Sequence, residues 1–250
     1  EPRRWCFPIA GCVTYRGYFY QRDAERYAAS LSADGLDNYV AGVSAYSTLG
    51  YFSDPILNTM LKGDEYYIAG VLFHELAHQL FYFKGDTELN EAFATAVEEY
   101  GTQQWLLREG DLQVIEAYRL RLQRRDDFYG LIRRQQTRLR ELYGRPITPE
   151  RMRAAKQEAF QTLSSEYATL KVDWGGASDY DAWFSRPLNN AQLASVVTYS
   201  RWLPNFREYL RTHGLEALYT EMQLLEDLQP EARETRLEAL STAAISSGLR

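Results

Sequence analysis

Val71-Leu72-Phe73-His74-Glu75-Leu76-Ala77-His78-Gln79-Leu80 is an apolar run broken only by two histidines, a glutamate and a glutamine. No proline occurs between Met60 and Gly101, so nothing interrupts a helix here. Residues four apart share a helix face, so His74 and His78 can aim imidazole nitrogens at one metal ion. Glu75 lies one step round, where its carboxylate reaches the metal's open position and can accept a proton from water. Polar groups buried in an apolar helix are costly without partners, and a metal would supply one. The bland account is a pair of core histidines satisfied in some other way. The residues downstream decide between the two.

A catalytic zinc takes three protein ligands and one water. After His78 the only histidine is the distant His213, and Lys84 stands where a metzincin places its third histidine, which excludes that subclass. Gly85-Asp86-Thr87 predicts a turn, and Glu88 to Arg108 a helix with Leu89, Phe93, Ala96, Val97 and Tyr100 on one face and Gly110 at its end. Asp86, Glu88, Glu91 and Glu98 are the candidate carboxylates; Glu91 alone sits among apolar neighbours near the helix start. Its run, Asn90-Glu91-Ala92-Phe93-Ala94-Thr95, resembles the Asn-Glu-x-x helix of the gluzincins, the thermolysin-like class. That resemblance implies Glu91 as third ligand, beside His74 and His78, to one zinc per chain. Glu98, two turns on, is the candidate to accept the other ring N–H of a ligand histidine, or else shares a solvated acidic face with Glu99.

The composition, 45% hydrophobic and 14% aromatic over 250 residues, suffices for a substantial core. A net charge of −6 argues against nucleic acid as a partner. No apolar run approaches the roughly eighteen residues of a membrane-spanning helix, so a soluble chain without a transmembrane helix is expected. The chain begins at Glu1 without Met and reads as a mature or trimmed form. Cys6 and Cys12, its only cysteines, are separated by the turn-prone Phe-Pro-Ile-Ala-Gly. They read as a small disulfide loop or as two buried thiols.

Along the chain, Gly11 to Phe19 reads as extended, about Asp23 to Asp34 as a helix stopped by Gly35, and Asn38 to Phe52 as one or two strands. Ala45, Tyr46, Ser47 and Thr48 fall where an edge strand could pair with a peptide backbone, or simply be an ordinary strand. Between Asp111 and Tyr143, Ile115, Tyr118, Leu122, Tyr129, Ile132, Leu139 and Tyr143 form a coiled-coil seam with Arg125 and Gln136 as polar breaks. Thr148-Pro149-Glu150 starts a second helix striped by Met152, Ala155, Ala159, Leu163, Tyr167 and Leu170. Together they predict a long antiparallel hairpin that projects. It would dock a protein partner, gate the site or self-associate. Its nine arginines from Asp111 to Arg145 read first as a solvated face.

From Gly11 to Leu210 the chain resembles a bacterial family of predicted zinc-dependent aminopeptidases, often exported lipoproteins. The matching phrases are Gly11-Cys12-Val13-Thr14-Tyr15-Arg16-Gly17-Tyr18-Phe19, Ala45-Tyr46-Ser47-Thr48-Leu49-Gly50-Tyr51-Phe52-Ser53-Asp54-Pro55, the H-E-L-A-H and N-E-A-F-A-T segments, and Leu188-Asn189-Asn190-Ala191 followed by Tyr199. The resemblance implies a cell-envelope or periplasmic location, with lipid anchoring in a full-length form. Peptide hydrolysis also needs a donor for the developing oxyanion, and Tyr199 is the candidate, with packing as its alternative role. Asn189 and Asn190 are candidates to bind substrate backbone or to cap a helix.

The expected architecture is mainly α with a small β-sheet (α+β): a zincin-like catalytic core over 1–110, a helical hairpin over 111–173 and a C-terminal helical part over 174–250 that completes the cleft. The expected activity is zinc-dependent hydrolysis of peptides, by resemblance at the N-terminus, with an endopeptidase of the same chemistry or a non-catalytic zinc-binding envelope scaffold as alternatives.

Overall fold

The computed structural model describes residues 2–7, 11–42, 64–197 and 201–247. Among them the chain is mostly helical with one two-stranded antiparallel sheet, as the sequence leads one to expect. It divides into two compact units, one of Glu1–Arg16, Ala41–Ile115 and Thr198–Arg250, the other of Gly17–Val40 and Glu116–Val197.

The first unit opens with a hairpin of β1 (Trp5–Phe7) and β2 (Gly11–Val13), in which Cys6 faces Cys12 across the ladder. The two form a disulfide. β1 was not legible in the sequence because three residues carry no usable periodicity. Two helices follow, α2 (Glu65–Leu80) and α3 (Thr87–Glu109), joined by the six residues Phe81 to Asp86. Asp86 caps α3 by accepting from the Leu89 backbone N–H at 3.1 Å. The helices approach closely because of two glycines. A Cβ on Gly70 would lie 3.3 Å from Glu98 Cγ, and one on Gly101 would lie 2.8 Å from the Phe73 ring.

The other face of α3 packs on α8 (Leu203–Glu226), which α9 (Pro230–Ser247) covers in turn. Phe93 is fully buried, with ring contacts to Phe81 at 5.7 Å and Phe206 at 6.1 Å, both edge-on. Arg207 on α8 grips the buried Glu99 carboxylate of α3 with two hydrogen bonds, of 2.6 and 2.8 Å. α8 bends at Gly214, whose φ of 80° suits glycine.

The second unit holds α1 (Gln21–Ala33), α5 (Pro149–Asp173), α6 (Asp181–Phe184), α7 (Asn190–Val197) and all but the first turn of α4 (Leu112–Tyr143). Phe128, Leu131, Ile132, Leu139 and Leu142 of α4 meet Ala159, Phe160, Leu163 and Tyr167 of α5. This corrects the predicted seam: Phe128, Leu131 and Leu142 are inside, whereas Tyr143 is 42% exposed. A strict heptad would serve two helices alone. Here Tyr180, Trp183, Phe184 and Leu193 also lie against the pair, so the buried face widens toward the ordinary 3.6-residue period. Tyr180 stacks on Phe128, and Phe184 on Tyr167. The inner face of the hairpin is thus covered by the segment that follows it.

Candidate active site

α2 and α3 bring the three sequence-predicted ligands together. His74 Nε2 lies 3.2 Å from His78 Nε2 and 3.5 Å from a Glu91 carboxylate oxygen, and His78 Nε2 lies 3.8 Å from the other Glu91 oxygen. One ligand atom from each residue lies within 4.8 Å of the others, so the cluster could hold a metal ion. Tetrahedral zinc with bonds of about 2.05 Å holds neighbouring donors about 3.3 Å apart, close to the separation of the two imidazole nitrogens.

The tautomer of His74 follows from its other nitrogen. Nδ1 lies 3.2 Å from a Glu98 oxygen. A carboxylate can only accept, so Nδ1 carries a proton; in the neutral form that a metal would bind, Nε2 would hold the lone pair on the side of His78 and Glu91. The set of two imidazoles and a carboxylate is the chemistry of a catalytic zinc site. Burial opposes charge on the His74 ring, but its bonds to Glu91 and Glu98 prevail and push it up to about 10. Burial pushes His78 down to about 4, with Glu91 opposing and His74 reinforcing the shift. The two rings lie edge to face, with centroids 4.8 Å apart.

The other carboxylates near the start of α3 are engaged elsewhere. Asp86 caps the helix, and Glu88 pairs with Arg201 at 3.6 Å. Asn90, next to Glu91, is buried and brackets one residue of the connector. Its Oδ1 accepts from Phe83 N–H and its Nδ2 donates to Phe83 C=O, both at 2.8 Å. The amide therefore acts as a short piece of sheet edge that fixes the start of α3 against the chain leaving α2.

Two phenols that sequence reasoning did not assign to the site stand beside it. The Tyr82 ring lies 6.4 Å from that of His78; burial, then the Glu91 charge, raises its pKa. Tyr15, just beyond β2, lies within electrostatic reach of Glu91, Tyr82 and Glu75. Tyr82 lies past the end of α2, after the extended Phe81, so helical spacing does not mark it. Tyr15 was not legible either, since its place depends on a contact between segments far apart in sequence.

Tyr199 and Ala45, Tyr46, Ser47 and Thr48 lie outside the described residues. Asn189 and Asn190 belong to the second unit, where Asn189 Oδ1 accepts from Gln192 N–H and caps α7, while its Nδ2 donates to Asn38 C=O at 2.9 Å. Asn190 accepts from the Tyr143 hydroxyl. His213 stacks on Tyr209 at 4.5 Å.

The sequence profile of the family described as "Putative aminopeptidase" matches residues 1–237. The chain belongs to that family. The match takes in the disulfide hairpin, both helices of the cluster, all of α8 and the start of α9, and so reaches far beyond the metal motif alone. No curated protein and no solved structure matches the chain.

Proposed function

We propose that this chain is a zinc-dependent peptidase of the gluzincin type, with a zincin-like core, acting as an aminopeptidase on short peptides. The observation that carries the reading is the convergence of His74 Nε2, His78 Nε2 and the Glu91 carboxylate, one residue from Glu75 on the same helix. His74, His78 and Glu91 would hold the metal. Bound zinc supplies Lewis acidity that eases ionisation of water and polarises a carbonyl.

The chain's own groups do the rest. Glu75 accepts the proton from water as its oxygen adds to the peptide carbonyl, then delivers it to the amine that leaves when the C–N bond breaks. Glu98 holds His74 in the tautomer that leaves Nε2 unprotonated. Residues Ala45 to Thr48 remain the proposed partner for the peptide backbone. Family membership supports the exopeptidase reading. The Cys6–Cys12 disulfide supports an oxidising compartment such as the cell envelope. No described helix is long and apolar enough to cross a membrane.

Glu75→Gln is expected to keep about one zinc per chain, read by mass spectrometry, and to lose nearly all hydrolysis. Glu91→Ala is expected to lose the metal. Retained turnover in Glu75→Gln would overturn the mechanism, and binding without turnover in the parent would favour the scaffold alternative. N-acetylation of the substrate is expected to abolish cleavage; indifference to it would make the enzyme an endopeptidase.

A further inference from the structure

The connector from Phe81 to Asp86 decides where α3 starts, and hence where Glu91 stands relative to His74 and His78. Asn90 holds Phe83 by its backbone, and one Asp86 oxygen caps α3. The Phe83 ring and the other Asp86 oxygen meet a side chain from far along the chain, Arg233, near the start of α9.

The Arg233 guanidinium sits over the Phe83 ring, 4.5 Å from its centre. Its Nε and one Nη donate to the Leu225 and Leu228 carbonyls at the end of α8, each at 3.1 Å, where a cation also suits the helix dipole. The other Nη lies 4.0 Å from Asp86 Oδ2, a loose pair, so the Phe83 ring is its main hold on the connector. The group thus offers a face to a ring and its edges to oxygens, which a lysine cannot do. With 15% of the side chain exposed, these contacts are largely shielded from water. Arg201 also ties α9 to α3, through Glu234 and through Glu88 at 3.6 Å. Those three side chains are nearly half exposed, and pairs so open are weak.

Phe83 is therefore held twice, by Asn90 at its backbone and by Arg233 at its ring, and it is buried between them. Asn90 is the residue before Glu91, so a shift of Phe83 moves the first turn of α3 and the carboxylate it carries. Glu91 oxygens stand 3.5 and 3.8 Å from the two imidazole nitrogens, and metal affinity falls when ligands lose the groups that orient them. We propose that Arg233 is a positioning residue for the metal cluster: it pins Phe83 and Asp86 to the end of α8 and so keeps Glu91 in register with His74 and His78. The proposal rests on the metal reading given above. It makes the start of α9 a determinant of metal affinity as well as a cover for α8.

The test compares Arg233→Met, Arg233→Lys and Arg236→Met with the parent in the full chain. Zinc affinity is measured by competition with a chelator, and amide hydrogen exchange is followed in the metal-free protein. Arg236 is on the same helix but grips Glu221 of α8, so Arg236→Met loosens α9 without removing the hold on Phe83 and Asp86. Arg233→Met is expected to weaken zinc binding about tenfold. It should also speed exchange of the Leu89 and Asn90 amides, which bond to Asp86. Arg233→Lys, which keeps the charge without the planar group, is expected to fall between the parent and Arg233→Met. Arg236→Met is expected to keep the parental zinc affinity. Unchanged zinc affinity in Arg233→Met, or unchanged exchange at those amides, overturns the proposal and leaves the metal reading standing. An equal loss of affinity in Arg236→Met does the same, since it traces the effect to α9 as a whole. Should Arg233→Met fail to fold, Arg233→Lys carries the test, and parental affinity in it overturns the proposal. A parent that binds no zinc overturns the metal reading, and the proposal with it.

Discussion

α2 and α3 each carry candidate metal ligands, yet burial treats them in opposite ways. α2 is the more apolar by sequence, but of its sixteen residues only Gly70, Ala77 and His78 are buried. Leu72, Leu76 and Leu80, at successive four-residue steps, are 39%, 53% and 54% exposed. α3 contains Glu88, Glu91, Glu98, Glu99 and several Thr and Gln, but buries eleven residues. Position explains the inversion: α3 packs on both α2 and α8, whereas Gly70 and Phe73 place α2 against α3 along one seam. The polar groups of α3 are fixed connectors, Asn90 to the Phe83 backbone, Glu98 to His74 and Glu99 to Arg207. Glu91 thus stands on the better anchored of the two helices, while the two histidines reach it from a helix that, among the described residues, is held chiefly on one side.

The largest effect expected from this contrast is at Arg207. Arg207→Ala strips a buried carboxylate, Glu99, of a two-bond partner, and a broken buried pair costs about 3–5 kcal/mol. Urea unfolding should show that loss. Replacing both residues, as Glu99→Leu with Arg207→Leu, should recover much of it, since no charge is then left uncompensated. A double variant no more stable than Arg207→Ala would mean that the ion pair is not what anchors α3.

Asn90 comes next. Asn90→Ala leaves the Phe83 N–H and C=O without the partners seen at 2.8 Å, a loss of about 2–3 kcal/mol for two buried groups. Because the same bonds set the start of α3 beside Glu91, affinity for the proposed zinc should fall about tenfold or more, measured by competition with a chelator. Stability lost without any change in zinc affinity would separate the clamp from the metal site and weaken the comparison.

What was legible in the sequence was local. His74, His78 and Glu75 share one helix, and the helix expected over Glu88 to Arg108 spans Thr87–Glu109, because periodicity and ligand spacing act within a few turns. Glu91 could be picked out from Asp86, Glu88 and Glu98 by its apolar neighbours, and the structure gives two of those rivals other partners and turns the third, Glu98, to His74 Nδ1. What was not legible depends on distant contacts. Nothing near Tyr15 distinguishes it among nineteen tyrosines, and the close approach of Gly11 to Gly85 joins segments far apart in sequence. The true inner face of α4 needed the aromatic residues of 180–184, some fifty positions away. Asn189 has the same side chain whether it caps a helix or holds a peptide, and only its partner, the Gln192 N–H, shows the first use; Asn190 accepts instead from the Tyr143 hydroxyl.

The smallest expected effect tests the exposed side of α2. Leu76 follows Glu75 and is more than half exposed, so little apolar burial is lost when it is shortened and made polar. Leu76→Ser should therefore change unfolding free energy by about 0.5–1 kcal/mol, most of it from the lower helix propensity of serine and from the part of the leucine that is covered. The equivalent substitution on α3, Leu89→Ser, removes a side chain with 0% exposure and should cost several times more, about 3 kcal/mol or above. Thermal unfolding of the two variants beside the parent reads the difference directly. Equal losses would mean that the leucine face of α2 is covered in solution, and that the helix bearing both histidines is anchored from two sides as α3 is.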